Sequence, residues 1–168
     1  MNKNKNKNLS TIFTVICLTI LCFITFTILK VNVRSSSVSE SIIFSKINKY
    51  RKINKLQELK LNKTLSQAAT TKAMDMKMLN YFAHNSPSSI KWNDFIINSG
   101  YKYVIAGENL AKGYFTPEEL INDWLNSSTH KANIIYPEFT ETGIAVVESD
   151  SVGVIIVQLF GKQFEKKD

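Results

Sequence analysis

Beyond position 22 this chain contains no cysteine: its two cysteines, Cys17 and Cys22, lie close to the start. The remaining residues can therefore form neither a disulfide nor a zinc–thiolate centre, and packing alone must hold them together. Acidic residues are missing before Glu40, whereas five of the 21 basic residues (Lys3, Lys5, Lys7, Lys30, Arg34) fall in that stretch. From Glu40 onward, 16 basic residues face 14 acidic ones. Of the net charge of +7, five units thus belong to the N-terminus and two to the rest. The rest has an ordinary mixed surface, which removes the charge argument for a nucleic-acid partner. Histidine is scarce too, with only His84 and His130. No G-x-S-x-G or H-E-x-x-H motif occurs, so neither a nucleophile elbow nor a local metal motif announces an enzyme. No internal repeat is visible.

What is present starts with an apolar run. Residues 1–8 form a basic polar tail, expected to lie in the cytoplasm, and residues 9–29 (LSTIFTVICLTILCFITFTIL) carry no charge, Gly or Pro. A helix of that length rises roughly 31 Å, enough to cross a bilayer core. The run predicts a transmembrane anchor. The rival is a cleaved signal peptide, in which case the remainder is secreted, although no clear small-x-small site follows. The slight excess of lysine before the run orients the C-terminal bulk to the outside. Residues 30–39 read as a linker, 40–162 as the folded domain and 163–168 as a polar tail.

Within the domain, Ile43, Ile47 and Tyr50 share one helical face between Ser41 and about Leu56. A second helix is predicted from Thr64, with Thr64 and Gln67 as a capping box. Leu65, Ala68, Ala69, Ala73, Met76 and Leu79 give it a buried face of mostly small residues, and its pattern ends in YFAHNSP at His84. Residues 90–99 predict a short helix stopped by Gly100, and Thr116-Pro117 opens another that holds Leu120, Ile121, Trp124 and Leu125. Residues 142–149 and 152–160 are rich in Val and Ile and predict an antiparallel hairpin with a two-residue Asp150-Ser151 turn. Residues 104–110 supply a third strand. The class is α+β, a small antiparallel sheet covered by helices.

The candidate site residues are His84, Glu108 and His130, separated by 24 and 22 positions. Two neutral imidazoles bind a divalent transition metal such as zinc, with water or a carboxylate completing the shell. A His/Glu pair also moves protons. Taken singly, each residue has a plainer reading: a structural or surface histidine, a solvated or capping carboxylate. Trp124 reads as core, and Asn109 and Asn133 as backbone-bonding residues. Ser127 is placed to cap the helix that carries His130.

The order of the pieces adds information. Phe82-Ala83-His84, Gly107-Glu108-Asn109, the run from Trp124 to Ile134, Phe139 to Gly143, and Gln158 to Gly161 occur in sequence. Together they resemble the SCP domain of the CAP superfamily (cysteine-rich secretory, antigen 5 and pathogenesis-related proteins), in its compact bacterial form without disulfides. The resemblance implies an α-β-α sandwich with a central cleft, lined in the family by two His and two Glu and able to hold zinc or another divalent ion. His84, Glu108 and His130 match three of these positions. At the fourth, where eukaryotic members often carry Glu, this chain has Ser127. Three functions are open on this reading: a binding module for a small apolar or cell-envelope ligand, a metal- or His-dependent hydrolase outside the membrane, or a non-catalytic cell-surface interaction protein. Oligomeric state is not legible.

Overall fold

The computed structural model describes residues 37–164. The apolar run at 9–29 lies outside them, so the anchor and signal-peptide readings both concern residues not described. Among the described residues no helix is long and apolar enough to cross a membrane.

The elements run α1 (Glu40–Ile53), β1 (Lys60–Leu61), α2 (Lys63–Met78), α3 (Trp92–Asn98), β2 (Tyr103–Lys112), α4 (Pro117–Asn126), α5 (Ser128–Ile135), β3 (Glu141–Ser149) and β4 (Gly153–Gln163). The four strands form one sheet in the order β1-β3-β4-β2. β4 pairs antiparallel with both β2 and β3, and the two-residue β1 joins β3 in parallel. The sheet is thus antiparallel at its centre and α+β as a whole.

The period-two rule sorts β4 between two cores. Ile156 and Phe160 face a cluster built with Ile43 and Ile47 of α1, Leu120 and Trp124 of α4, and Ile134 of α5. Ile155, Val157 and Leu159 face the other, built with Leu65, Ala68, Ala69, Ala73 and Met76 of α2 and Ile96 of α3. Three layers result. The small face of α2 lets that helix lie almost on the sheet: a Cβ at Gly143 of β3 would stand 2.1 Å from the Leu65 carbonyl carbon. Only glycine fits there.

Several local expectations need correction. α2 starts at Lys63 and not at Thr64, and Asn62 caps it by accepting from the Thr64 and Leu65 amides. An Asn side chain one residue before the helix reaches the free amides better than the Thr64–Gln67 box could from inside the first turn. Leu79, assigned to the buried face, lies past the helix end and is exposed. The hairpin turn has three residues, Asp150 to Val152, because Ser149 pairs with Gly153, whose φ of +80° suits glycine. The Thr116 cap and Pro117 at the first helical position are found as read. The short helix ends before Gly100, at φ +89°.

Candidate functional site

Glu108 comes from β2. Its register partner is Leu159, so both side chains point to the α2 side of the sheet. That places the carboxylate beneath the loop that follows α2, where His84 stands. The helix stops at Met78, so His84 is a loop residue and not a helix-terminal one as the sequence pattern implied. Its Nδ1 lies 2.6 Å from Glu108 Oε1, within hydrogen-bond distance, which directs Nε2 away from the carboxylate. The His84 side chain is 58% exposed and that of Glu108 only 2%. One partner faces solvent while the other is sealed beneath it.

Burial raises the Glu108 pKa above the ordinary glutamate range; the His84 hydrogen bond and the charges of Lys72 and His84 pull against that rise without cancelling it. Its second oxygen, Oε2, is buried and has no hydrogen-bond partner. Such an atom costs free energy unless something compensates it.

His130 comes from the first turns of α5. The serine at its N-cap, Ser127, makes no capping hydrogen bond; its hydroxyl meets Thr129 instead. What fixes α5 is a pair of asparagines. Asn133 donates to the backbone carbonyl of Glu108 at 3.0 Å and to Asn109 Oδ1 at 2.8 Å, and Asn109 donates to the His130 carbonyl at 3.1 Å. These amides stitch α5 to β2, in the backbone-bonding roles expected of them. A Cβ at Gly107 would stand 3.0 Å from Asn133 Oδ1 and 2.9 Å from the Phe139 ring, so glycine keeps this seam closed. Trp124 is core as expected; its indole N–H donates to the Leu110 carbonyl, and its ring lies 6.2 Å from that of His130. His130 is half-buried, and burial first, then the neighbouring charge of His84, hold its pKa below the usual imidazole value.

His84 and Glu108 are therefore in direct contact, and His130 lies within electrostatic reach of His84. Among the described residues no group of three or more His, Cys, Asp or Glu side chains is disposed to hold a metal ion. With one Glu108 oxygen on His84, the chain offers two imidazole donors, and the carboxylate stands behind one of them. No serine or threonine hydroxyl among the described residues bonds either imidazole; Ser86 pairs with Ser88, and Ser127 with Thr129.

Two buried cations escaped sequence reasoning. Lys72 of α2 is fully buried and donates to the Tyr81 phenol at 2.8 Å and to the Ala83 carbonyl at 2.9 Å. Tyr81 in turn donates to Asp75. Arg51 of α1, equally buried, donates to the carbonyls of Gln57, Ile134, Tyr136 and Phe139. The signal was spacing: Arg51 follows Ile43 and Ile47, and Lys72 follows Ala68, each at intervals of four on a buried stripe.

Residues 44–160 match the CAP family, the cysteine-rich secretory protein family. The chain is 42% identical over 118 residues to the uncharacterized protein YkwD of Bacillus subtilis, covering 70% of this chain and 46% of that one. It thus spans less than half the length of that curated relative. It superposes on a Bacillus anthracis extracellular protein containing an SCP domain with a TM-score of 0.66 at 28% identity, covering 72% of this chain and 39% of the other. Against an outer surface protein of Borrelia burgdorferi the TM-score is 0.69 at 26% identity, with 74% and 92% covered. With its order of motifs, its three-layer fold and these matches, the chain belongs to the CAP family.

Proposed function

We propose that this chain is an extracytoplasmic binding module, held at the membrane through residues 9–29, whose His84–Glu108–His130 cleft takes a divalent metal and, with its flanking surface, a small cell-envelope ligand. The observation that carries this reading is the sealed Glu108 carboxylate: one oxygen orients His84, leaving Nε2 outward, and the other has no partner. A carboxylate behind a histidine fixes the tautomer and raises the basicity of the free nitrogen, which is how protein carboxylates support metal-binding imidazoles. His84 and His130 would hold the ion, and solvent or ligand would complete its shell. Bound zinc supplies a Lewis acid that orients or polarises an oxygen of the ligand. The extracellular and outer-surface descriptions of the two structural neighbours support the location.

An apolar ligand has a separate seat: Tyr50 and Ile53 of α1 and Ile121 and Leu125 of α4 line a groove of about 200 Å³, together with Lys49 and the paired Lys46 and Glu118. That lining suits an acyl chain. A hydrolase would have to use water as its nucleophile, since among the described residues no serine or threonine hydroxyl bonds either imidazole.

Calorimetric titration of the full chain with zinc tests the metal reading. Binding is expected in the parent and is lost in both His84→Ala and His130→Ala. Glu108→Gln is expected to lower affinity by about 10- to 100-fold. Absence of zinc binding in the parent protein ends the metal reading, and unchanged affinity in Glu108→Gln removes that carboxylate from the site.

A further inference from the structure

In the loop that carries His84, Tyr81 and Phe82 pack against the α2-side core, while Ala83 and His84 are exposed and the imidazole meets Glu108 at 2.6 Å. Something must hold the loop in place. The turn out of α2, with Asn80 at φ +51°, is held by the Tyr81 amide on the Met76 carbonyl, but Ala83 and His84 beyond it are exposed. Two side-chain links run from α2 to the residues before His84: the Tyr81 phenol on Asp75 and, reaching as far as Ala83, the Lys72 ammonium. It donates to the carbonyl of Ala83, the residue immediately before His84, and to the phenol of Tyr81, three residues before it. The ammonium also lies 4.7 Å from the Tyr81 ring centroid and 5.1 Å from that of Phe95. The Phe95 ring thus adds a cation–π contact to the two hydrogen bonds. Tyr81 is anchored in turn by donating to Asp75, one helical turn beyond Lys72 on α2.

We propose that Lys72 is a positioning residue for His84: by binding the Ala83 carbonyl and the Tyr81 phenol, its ammonium fixes the loop so that Nδ1 of the imidazole faces Glu108 and Nε2 faces the cleft. A buried lysine is costly unless its donors are used. At this position an apolar residue would fill the α2 face more cheaply, as Ala68, Ala69 and Met76 do. The charge makes sense where a carbonyl must be held at a set place. Lys72 also lies close enough to Glu108 for their opposite charges to attract, so the same ammonium steadies both members of the His–Glu pair.

The inference concerns the same cleft as the proposed function, but it is tested with no metal present, so failure of zinc binding leaves it intact. The chain has only two histidines, and ¹⁵N-histidine labelling of the full chain gives two imidazole spin systems, assigned with His130→Gln. At about pH 8, well above the ordinary imidazole pKa, the parent is expected to show His84 protonated at Nδ1. In Lys72→Met, His84 is expected to become a mixture of Nδ1–H and Nε2–H tautomers while His130 stays unchanged and circular dichroism shows the fold retained. A loss of packing alone would not select one imidazole. A folded Lys72→Met protein with the parent His84 pattern overturns the proposal. Should that variant fail to fold, Tyr81→Phe decides: it keeps the ring beside the ammonium but removes the phenol, and a smaller change in the same direction supports the proposal. Unchanged His84 signals in Tyr81→Phe then overturn it.

Discussion

The two faces of the sheet solve one problem in different ways. Each carries one imidazole of the proposed site, and each contains a fully buried cation bonded to backbone carbonyl oxygen. On the α1 side, Arg51 gathers four carbonyls, including those of Ile134 and Tyr136 at the end of α5, the helix that carries His130. On the α2 side, Lys72 holds one carbonyl and one phenol beside His84. Arginine keeps its charge under all ordinary conditions and offers a rigid fork, so its cage acts as permanent scaffolding. Lysine offers a single point, and burial lowers its pKa, opposed by the charges of Glu108 and Asp75. The His130 side is therefore built stiffly, and the His84 side depends on a balance of nearby charges.

The largest expected effect comes from removing the stiffer of the two. Arg51→Met leaves four carbonyls without their donor and should cost about 2–4 kcal/mol in urea unfolding. Lys72→Met leaves fewer groups unbonded and relieves the burial of an ammonium, so its cost should be less than half of that. Equal losses would mean that the two cations do the same job and would break the comparison.

The packing of the two faces differs as well. α2 meets the sheet through alanines, whereas the opposite face uses Trp124, Phe139 and Phe160, with the two Phe rings 5.3 Å apart. Ala69→Leu is expected to destabilise by about 1–3 kcal/mol through overpacking. Ile47→Val, on the α1 side, removes one methyl and should cost about 0.5–1.5 kcal/mol. A neutral Ala69→Leu would show that α2 can move off the sheet.

The smallest effect concerns acid. Burial works against the charge of Glu141, but Tyr101, Asn62 and Gln163 donate to it, and its pKa settles below the ordinary value. A depressed carboxylate stabilises the fold above the ordinary glutamate pKa of about 4.3, and that contribution is lost as pH falls through the folded value. Glu108 is shifted the other way, so its contribution is present at low pH and is lost as pH rises through its folded value. Glu141→Gln should therefore flatten the acid limb of a stability–pH curve, by less than about 1 kcal/mol because the group is partly solvated. Glu108→Gln should steepen that limb. Shifts of the same sign in both variants would contradict the assignment.

Much of this molecule was legible beforehand, and the exceptions share a cause. The hairpin, the short helix before Gly100 and the Thr116 start were written in local patterns that tertiary contacts did not override. The seam between α5 and β2 was half legible: Asn109 and Asn133 were read as backbone-bonding, but their partners lie 21 to 25 positions away and no spacing rule reaches that far. Arg51 and Lys72 were passed over because long charged side chains are expected outside, although their spacing put them inside. His84 was assigned to a helix end because the apolar pattern continues past Met78 into Leu79, Tyr81 and Phe82, whereas the backbone leaves the helix there.

The asparagine seam has a further consequence. β2 is an edge strand, and an unpaired edge is an invitation for a neighbouring molecule to add its own strand. Here α5 lies against that edge and one of its amides occupies the Glu108 carbonyl, while at the opposite margin β1 covers Glu141 and Thr142 of β3. At the Glu108 carbonyl, then, a foreign strand would meet an amide already in place.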